Sequence, residues 1–271
     1  MSRLSINELT TFRWTLAEDL RHYASAGIPA IGLWRRKIAD LGDDAARQNI
    51  RQSGLAISSL MWAGGFTSHD GVPFKDALAD AGEALDFASG VGAPILVVHS
   101  GGRGGHTLNH ARRIFQNALK ELLPRAEAAG VTLAIEPMHP HYAAEWTVYA
   151  GWQEALDLVV GQNSPRLRLV LDMYHYSLLP ERLDLLSDIV PWLALVQLAD
   201  GKQTPEHEQD RCRLGDGRVP LVELFDQLRE LGYAGDFDVE LFGPEIERCH
   251  YGELLSHCKA VFARLSGGDV N

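Results

Sequence analysis

Three carboxylates and one side-chain amide close four separate apolar runs in the second half of this chain. The runs are Thr132-Leu-Ala-Ile-Glu136, Leu167-Arg-Leu-Val-Leu-Asp172, Leu193-Ala-Leu-Val-Gln197 and Phe237-Asp-Val-Glu240. Each reads as a β-strand. Burial suits the run but not the charge that ends it, because a buried, unpaired carboxylate is costly and tends to take up a proton. If parallel strands carry the four ends to one side, a divalent cation is the simplest group that makes the cluster stable. An oxygen-only set suits Mn²⁺, Mg²⁺ or Co²⁺ better than Zn²⁺, which favours nitrogen and sulfur. Such a set leaves positions open for substrate oxygens. An ion chelating adjacent carbonyl and hydroxyl oxygens acidifies the C–H between them and stabilises the enediolate. Moving that proton requires a carboxylate or histidine beside the carbon.

The rest of the chain must bring those ends together. Four further strand-like runs precede them: Leu4–Ile6, Ala30–Leu33, Ala56–Leu60 and Pro94–Val98. Helical patterns lie between the strands. They run from Thr15 to Ala26 before Gly27, from Asp43 to Ser53 before Gly54, from Phe74 to Val91, and from His110 to Ala129 before Gly130. The longest apolar face, Leu78, Ala81, Leu85 and Ala88, has helical spacing. Later helices are expected at Gly151–Val160, Leu183–Ile189, Pro220–Leu231 and Tyr251–Leu265. Strands alternating with helices at roughly 30-residue spacing mean βα units and a parallel sheet. Eight such units predict a (β/α)₈ TIM barrel, one domain spanning residues 1–271, with its active site at the C-terminal strand ends. A doubly wound sheet is the alternative, and it would bring only some of the four ends to one crevice.

Bulk properties narrow the partners. The formal net charge of −11 disfavours nucleic acid and anionic membranes. No apolar run is long enough to span a bilayer, and Met1-Ser-Arg-Leu-Ser-Ile6 lacks the apolar core of a signal peptide. Cys212, Cys249 and Cys258 are odd in number and lack zinc-site spacing, as expected of a reduced cytoplasmic protein. The expected partner is a small carbohydrate-like molecule, with a homo-oligomer possible.

The motifs Val97-Val-His-Ser-Gly101, Ala134-Ile-Glu-Pro137, Leu171-Asp-Met-Tyr-His175, Val196-Gln-Leu-Ala-Asp200, Arg211-Cys-Arg-Leu-Gly-Asp-Gly217 and Asp238-Val-Glu240 carry a resemblance. They resemble the sugar-phosphate isomerase/epimerase-like family with the xylose-isomerase-type TIM barrel, over nearly the whole chain. The resemblance implies that Glu136, Asp172, Gln197 and Glu240 are the metal ligands. It implies that His175 stands behind them or touches substrate, that Arg211 binds substrate oxygens, and that His99 faces the same pocket. Arg213 competes with Arg211 for its role. Two departures stand out. Many members have histidine where this chain has Gln197, and glutamine occurs there in hydroxypyruvate-isomerase-like and dehydroshikimate-dehydratase-like members. Ketose 3-epimerases carry a second catalytic glutamate six residues after the first ligand, and that position is Tyr142 here. Glu145, His139 or His141 would have to substitute.

Other signals weigh less. Trp62 and Phe66 are expected to wall the pocket from a loop after the third strand. Gly215 and Gly217 are expected to set a tight loop rather than cradle a phosphate, since no Lys-Ser/Thr follows. His106 and His110, four apart, are expected to serve at a helix start. The favoured function is a metal-dependent isomerase or epimerase of a small hydroxy-keto compound such as a sugar, keto-sugar or inositol derivative. Glu136, Glu240 or a pocket histidine moves the proton, and Arg211 with His175 holds the substrate. The alternative is a lyase on the same site, which expels a β-leaving group as in dehydroshikimate, inosose or keto-glycoside elimination. A zinc-loaded DNA endonuclease and a non-catalytic sugar-binding barrel rank below these.

Overall fold

The structure, a computed structural model, describes residues 2–177, 182–203 and 210–267. Eight parallel strands close one barrel. They are β1 (Arg3–Asn7), β2 (Ala30–Trp34), β3 (Ala56–Gly64), β4 (Ile95–His99), β5 (Thr132–Ile135), β6 (Leu167–Asp172), β7 (Leu193–Leu198) and β10 (Asp236–Val239), and β1 pairs with both β2 and β10. β8 (Asp200–Gly201) and β9 (Arg211–Cys212) form a small antiparallel pair outside the barrel. The chain is therefore the expected (β/α)₈ TIM barrel, and not a doubly wound sheet.

Helices α1 (Leu16–Ser25), α2 (Arg35–Leu41), α3 (Asp43–Ser53), α4 (Phe74–Val91) and α5 (Leu108–Ala129) cover the first half. In the second half lie α6 (Pro140–Trp146), α7 (Trp152–Gln162), α8 (Met173–Tyr176), α9 (Arg182–Ile189), α10 (Leu221–Glu230), α11 (Pro244–Glu247) and α12 (Tyr251–Leu265). Local chemistry sets their ends. Thr15 and Glu18 make a reciprocal capping box at the start of α1. Gly130 adopts a left-handed conformation at φ 70° and stops α5. Thr107, rather than His106 or His110, caps the start of α5 with its side chain. β3 runs past Leu60, so Trp62 belongs to the strand and not to a following loop. Phe66 does not wall a pocket; it is buried against Phe115 of α5 with ring centroids 5.8 Å apart. Arg211 sits on β9, and residues 204–209 just before it lie outside the described residues.

The barrel interior is divided in character. Met61, Ile95, Val97, Ala134, Val170 and Leu195 pack together there as a small apolar cluster. The side formed by β1, β2 and β10 is polar. The Asp238 carboxylate accepts from Asn7 Nδ2 at 2.9 Å and from Ser58 Oγ at 3.5 Å, and Ser58 Oγ lies 2.7 Å from Ser5 Oγ. Burial pushes the Asp238 carboxyl up to about 6, against the hydrogen bonds that favour its charge. Gly32 makes room for this group: a Cβ there would stand 2.5 Å from Asp238 Oδ2 and 2.9 Å from Asn7 Nδ2. Gly32→Ala is expected to destabilise the protein by about 1–3 kcal/mol. An unchanged urea midpoint would show that the polar half yields more readily than its hydrogen bonds suggest.

Candidate active site

Strand periodicity explains why ligand-type residues end the apolar runs. Side chains two apart on a strand face the same way. Ala134, Val170 and Leu195 face the barrel interior, so Glu136, Asp172 and Gln197 face inward one layer higher. Glu240 stands likewise above Asp238. The structure brings all four to one cluster with His175 and Arg211, and none of the six is more than 3% exposed. One ligand atom each from Glu136, Asp172 and His175 lie within 4.8 Å of one another. Gln197 Nε2 donates to Glu240 Oε2. Arg211 Nη1 donates to Asp172 Oδ2 at 2.6 Å and to the Glu240 carbonyl at 3.0 Å, while Nη2 stands 3.7 Å from Glu240 Oε1.

The surroundings fix these groups. Asp172 Oδ1 accepts from Tyr174 N at 2.7 Å and so caps α8, which carries His175. The Arg211 guanidinium lies over the rings of Phe242 at 4.5 Å and Tyr174 at 5.0 Å. Its strand is held in turn by Asp200, whose carboxylate accepts from the backbone N–H groups of Gly201, Gly215, Gly217 and Val219 at 2.8–3.1 Å. The Gly215–Gly217 loop thus spends its amides on an internal carboxylate. Arg213, the competing choice, does not line the pocket that Arg211 lines. Thr10 Oγ1 donates to the Val239 carbonyl and accepts from Leu241 N, both at 2.9 Å, which pins the backbone on either side of Glu240.

The aromatic and histidine residues close the mouth. Trp62, Met138, Trp146 and Phe242 stand with Glu136, Arg211 and Glu240 around a cavity of only about 10 Å³. His99 meets Trp146 edge-on at 5.1 Å. His139 caps α6, and its backbone N–H donates to His175 Nδ1 at 3.4 Å. Tyr142 is buried 5.3 Å from the His175 ring. Glu145 lies exposed on α6 and does not join the cluster. No second glutamate therefore takes the place that Tyr142 fills.

Burial pushes the His175 imidazole down to about 3 and that of His99 down to about 4. Both are neutral near pH 7. A histidine whose folded value lies below its unfolded 6.5 stabilises the fold fully above pH 6.5 and loses that contribution as pH falls through the folded value. For His99 this amounts to about 3 kcal/mol lost between pH 6.5 and 4. Urea unfolding across that range should show the loss, and His99→Gln should flatten it. A profile equally steep in the variant would remove His99 from the account.

The donor set fits a divalent cation. Three buried carboxylates face one guanidinium, leaving negative charge that burial opposes. Gln197 Oε1 and His175 Nε2 are buried without a hydrogen-bond partner among the described residues. An amide oxygen of this kind is a natural ligand, and the imidazole nitrogen becomes one in the tautomer that leaves it unprotonated. His175 changes the character of the set, adding nitrogen to the oxygens read from the four strand ends.

A family model described as the xylose isomerase-like TIM barrel matches residues 20–261. The chain belongs to that family. Among its relatives is an inosose isomerase of Halalkalibacterium halodurans, 25% identical over 211 residues that cover 76% of this chain and 72% of that one. An L-ribulose-5-phosphate 3-epimerase of Shigella flexneri is 26% identical over 68% of this chain and 62% of its own. A crystal structure of a Sinorhizobium meliloti protein superposes with a TM-score of 0.89 at 29% identity, covering 97% of this chain and 98% of that one. An IolI protein with a binding zinc atom shares the fold at a TM-score of 0.84 and 20% identity, covering 99% and 100%. No helix among the described residues is long and apolar enough to cross a membrane.

Met138, Trp146, Tyr174, Phe242 and Thr10 escaped the sequence reading. Two of them carried a signal. Met138 and Phe242 stand two residues past Glu136 and Glu240, so the inward period continues beyond each strand.

Proposed function

We propose that this protein is a divalent-metal-dependent isomerase or epimerase of a small hydroxy-keto compound, a sugar, keto-sugar or inositol derivative. The observation that carries the reading is the single buried cluster of Glu136, Asp172, His175, Gln197 and Glu240 around the Arg211 guanidinium. Family membership and the isomerase and epimerase relatives support it. Glu136, Asp172, Gln197 and Glu240 would hold the ion, with His175 able to join them. Mn²⁺, Mg²⁺ or Co²⁺ suits the oxygens, and zinc becomes competitive where His175 ligates. When bound, such an ion polarises a substrate carbonyl and lowers the acidity barrier at the neighbouring C–H.

The protein's own groups do the rest. A carboxylate of Glu136 or Glu240 takes the proton from one substrate carbon and delivers it to the neighbouring carbon in an isomerase, or, in an epimerase, one of the two takes it and the other delivers a proton to the opposite face. The Arg211 guanidinium, held between two rings, donates to substrate oxygens. Neutral His175, whose Nδ1 accepts from the His139 N–H, carries its proton on Nε2 and donates it to a substrate oxygen. Trp62, Trp146 and Phe242 exclude water and offer apolar faces to sugar C–H groups.

The lyase reading shares the first proton transfer. Tyr142, in place of a second glutamate, is the observation that keeps it. One experiment separates the two: incubation in D₂O with Mn²⁺ and a panel of ketoses, keto-acids, inosose and dehydroshikimate, read by mass spectrometry. Deuterium gained on an unchanged skeleton supports the isomerase. Loss of water or of an aglycone supports the lyase. Neither change anywhere on the panel overturns both.

A further inference from the structure

An apolar-walled space beside the mouth belongs to neither the ligand cluster nor its roof. It is a cavity of about 450 Å³ between the loop after β1 and helix α2, walled by Phe12, Trp14, Trp34 and Leu41, with the charged residues Arg13, Arg36, Lys37 and Asp40 also lining it. That volume falls in the range of ~300–1,000 Å³ usual for small-ligand sites. The space over the reacting groups is far smaller, about 10 Å³.

Trp34 joins the two. Gly32 faces the barrel interior against Asp238, so Trp34, two residues on, points inward at the mouth. Its ring contacts Trp62 edge-on at 6.4 Å on one side and Phe12 at 5.7 Å on the other. Trp62 lines the reacting site, and Phe12 lines the cavity. The row continues from Trp62 to Trp146 at 5.3 Å. A continuous aromatic wall thus leads from the carboxylates to the cavity. Phe12 is 46% exposed and Leu41 39% exposed, so apolar surface is left uncovered at this rim. The arginines are occupied: Arg13 lies over Tyr251 and donates to the Cys249 carbonyl, and Arg36 lies over Trp34. Lys37 pairs with Asp19, Asp40 stands exposed at the rim, and the walls offered to a ligand are mainly aromatic.

We propose that this cavity is a subsite for a flat, apolar substituent carried by the substrate, an aromatic or alicyclic aglycone on the hydroxy-keto ring. The proposal rests on the hydroxy-keto reading for the head of that molecule. It makes the preferred substrate a conjugate or glycoside rather than a free or phosphorylated sugar.

Calorimetric titration of the full chain with phenyl β-D-glucopyranoside and methyl β-D-glucopyranoside tests it. Neither probe carries a keto group, so binding is read apart from turnover. The phenyl compound is expected to bind about tenfold more tightly, the scale of burying one ring face. Phe12→Ala should erase that preference. Being exposed, Phe12 can be truncated without threatening the fold, and deuterium exchange of unsubstituted ketoses should be unchanged in the variant. Equal affinities, no binding of either probe, or a preference that survives both Phe12→Ala and Trp34→Ala would overturn the proposal. So would a dimer that Phe12→Ala converts to monomer, since the rim would then be covered by a second copy. A Phe12-dependent preference without deuterium exchange on any hydroxy-keto compound would keep the subsite and remove the reading of the head. Exchange without the preference would do the reverse.

Discussion

Glu240→Gln is expected to reduce deuterium exchange roughly 10³-fold while leaving the fold intact. General acid–base groups contribute about 10²–10⁴-fold, and this carboxylate serves both as a proposed base and as a proposed ligand. Its geometry is unusually well determined. Gln197 bonds one oxygen, Arg211 approaches the other, and Thr10 pins the backbone on both sides. The substitution is nearly isosteric, so packing changes little. It does turn an acceptor into an amide facing the Gln197 amide, and Gln197 must rotate to avoid opposing two donors. The rotation points its oxygen away from its present direction and weakens metal binding as well. Exchange rates by NMR, with thermal unfolding as the control, check the outcome. Activity within tenfold of wild type would take Glu240 out of the reacting machinery.

Arg211→Met is expected to cost about 3–5 kcal/mol of stability without added metal. Removing one partner of a buried ion pair leaves an uncompensated charge, and here both Asp172 and Glu240 lose their cation. Methionine keeps much of the packing between Tyr174 and Phe242 but none of the charge. Arg211→Lys should recover only part of the loss, since an ammonium neither bridges two acceptors in a plane nor stacks as a guanidinium does. Mn²⁺ should stabilise the methionine variant more than it stabilises wild type, because an ion in the cluster supplies the charge that was removed. Urea unfolding with and without Mn²⁺ reads both effects. A loss below about 1 kcal/mol would mean that the carboxylates are neutralised by protons rather than by Arg211.

The barrel and the heart of the site were legible because both follow from periodicity. Alternating strands and helices specify parallel pairing, and the inward period of two turns a strand-final carboxylate into a group at the barrel mouth. Other features escaped for physical reasons. α2 begins directly after Trp34 with no side-chain cap, so no start signal marks it. β9 is two residues long and exists through its pairing with β8, which propensity along the chain does not encode. The role of Asp200 depends on four amides gathered by a loop fold. Whether Tyr142, Glu145 or a histidine faces the cluster was a question of side-chain direction. The short helix α6 answers it by burying Tyr142 on His175 and turning Glu145 outward.

The central claim is that the strand-end cluster is a single divalent-metal site. Titration of the metal-free protein with Mn²⁺, followed by electron paramagnetic resonance, tests it most directly. One tightly bound ion per chain is expected, lost in Asp172→Asn. Absence of stoichiometric binding, or binding unchanged by that substitution, would contradict it.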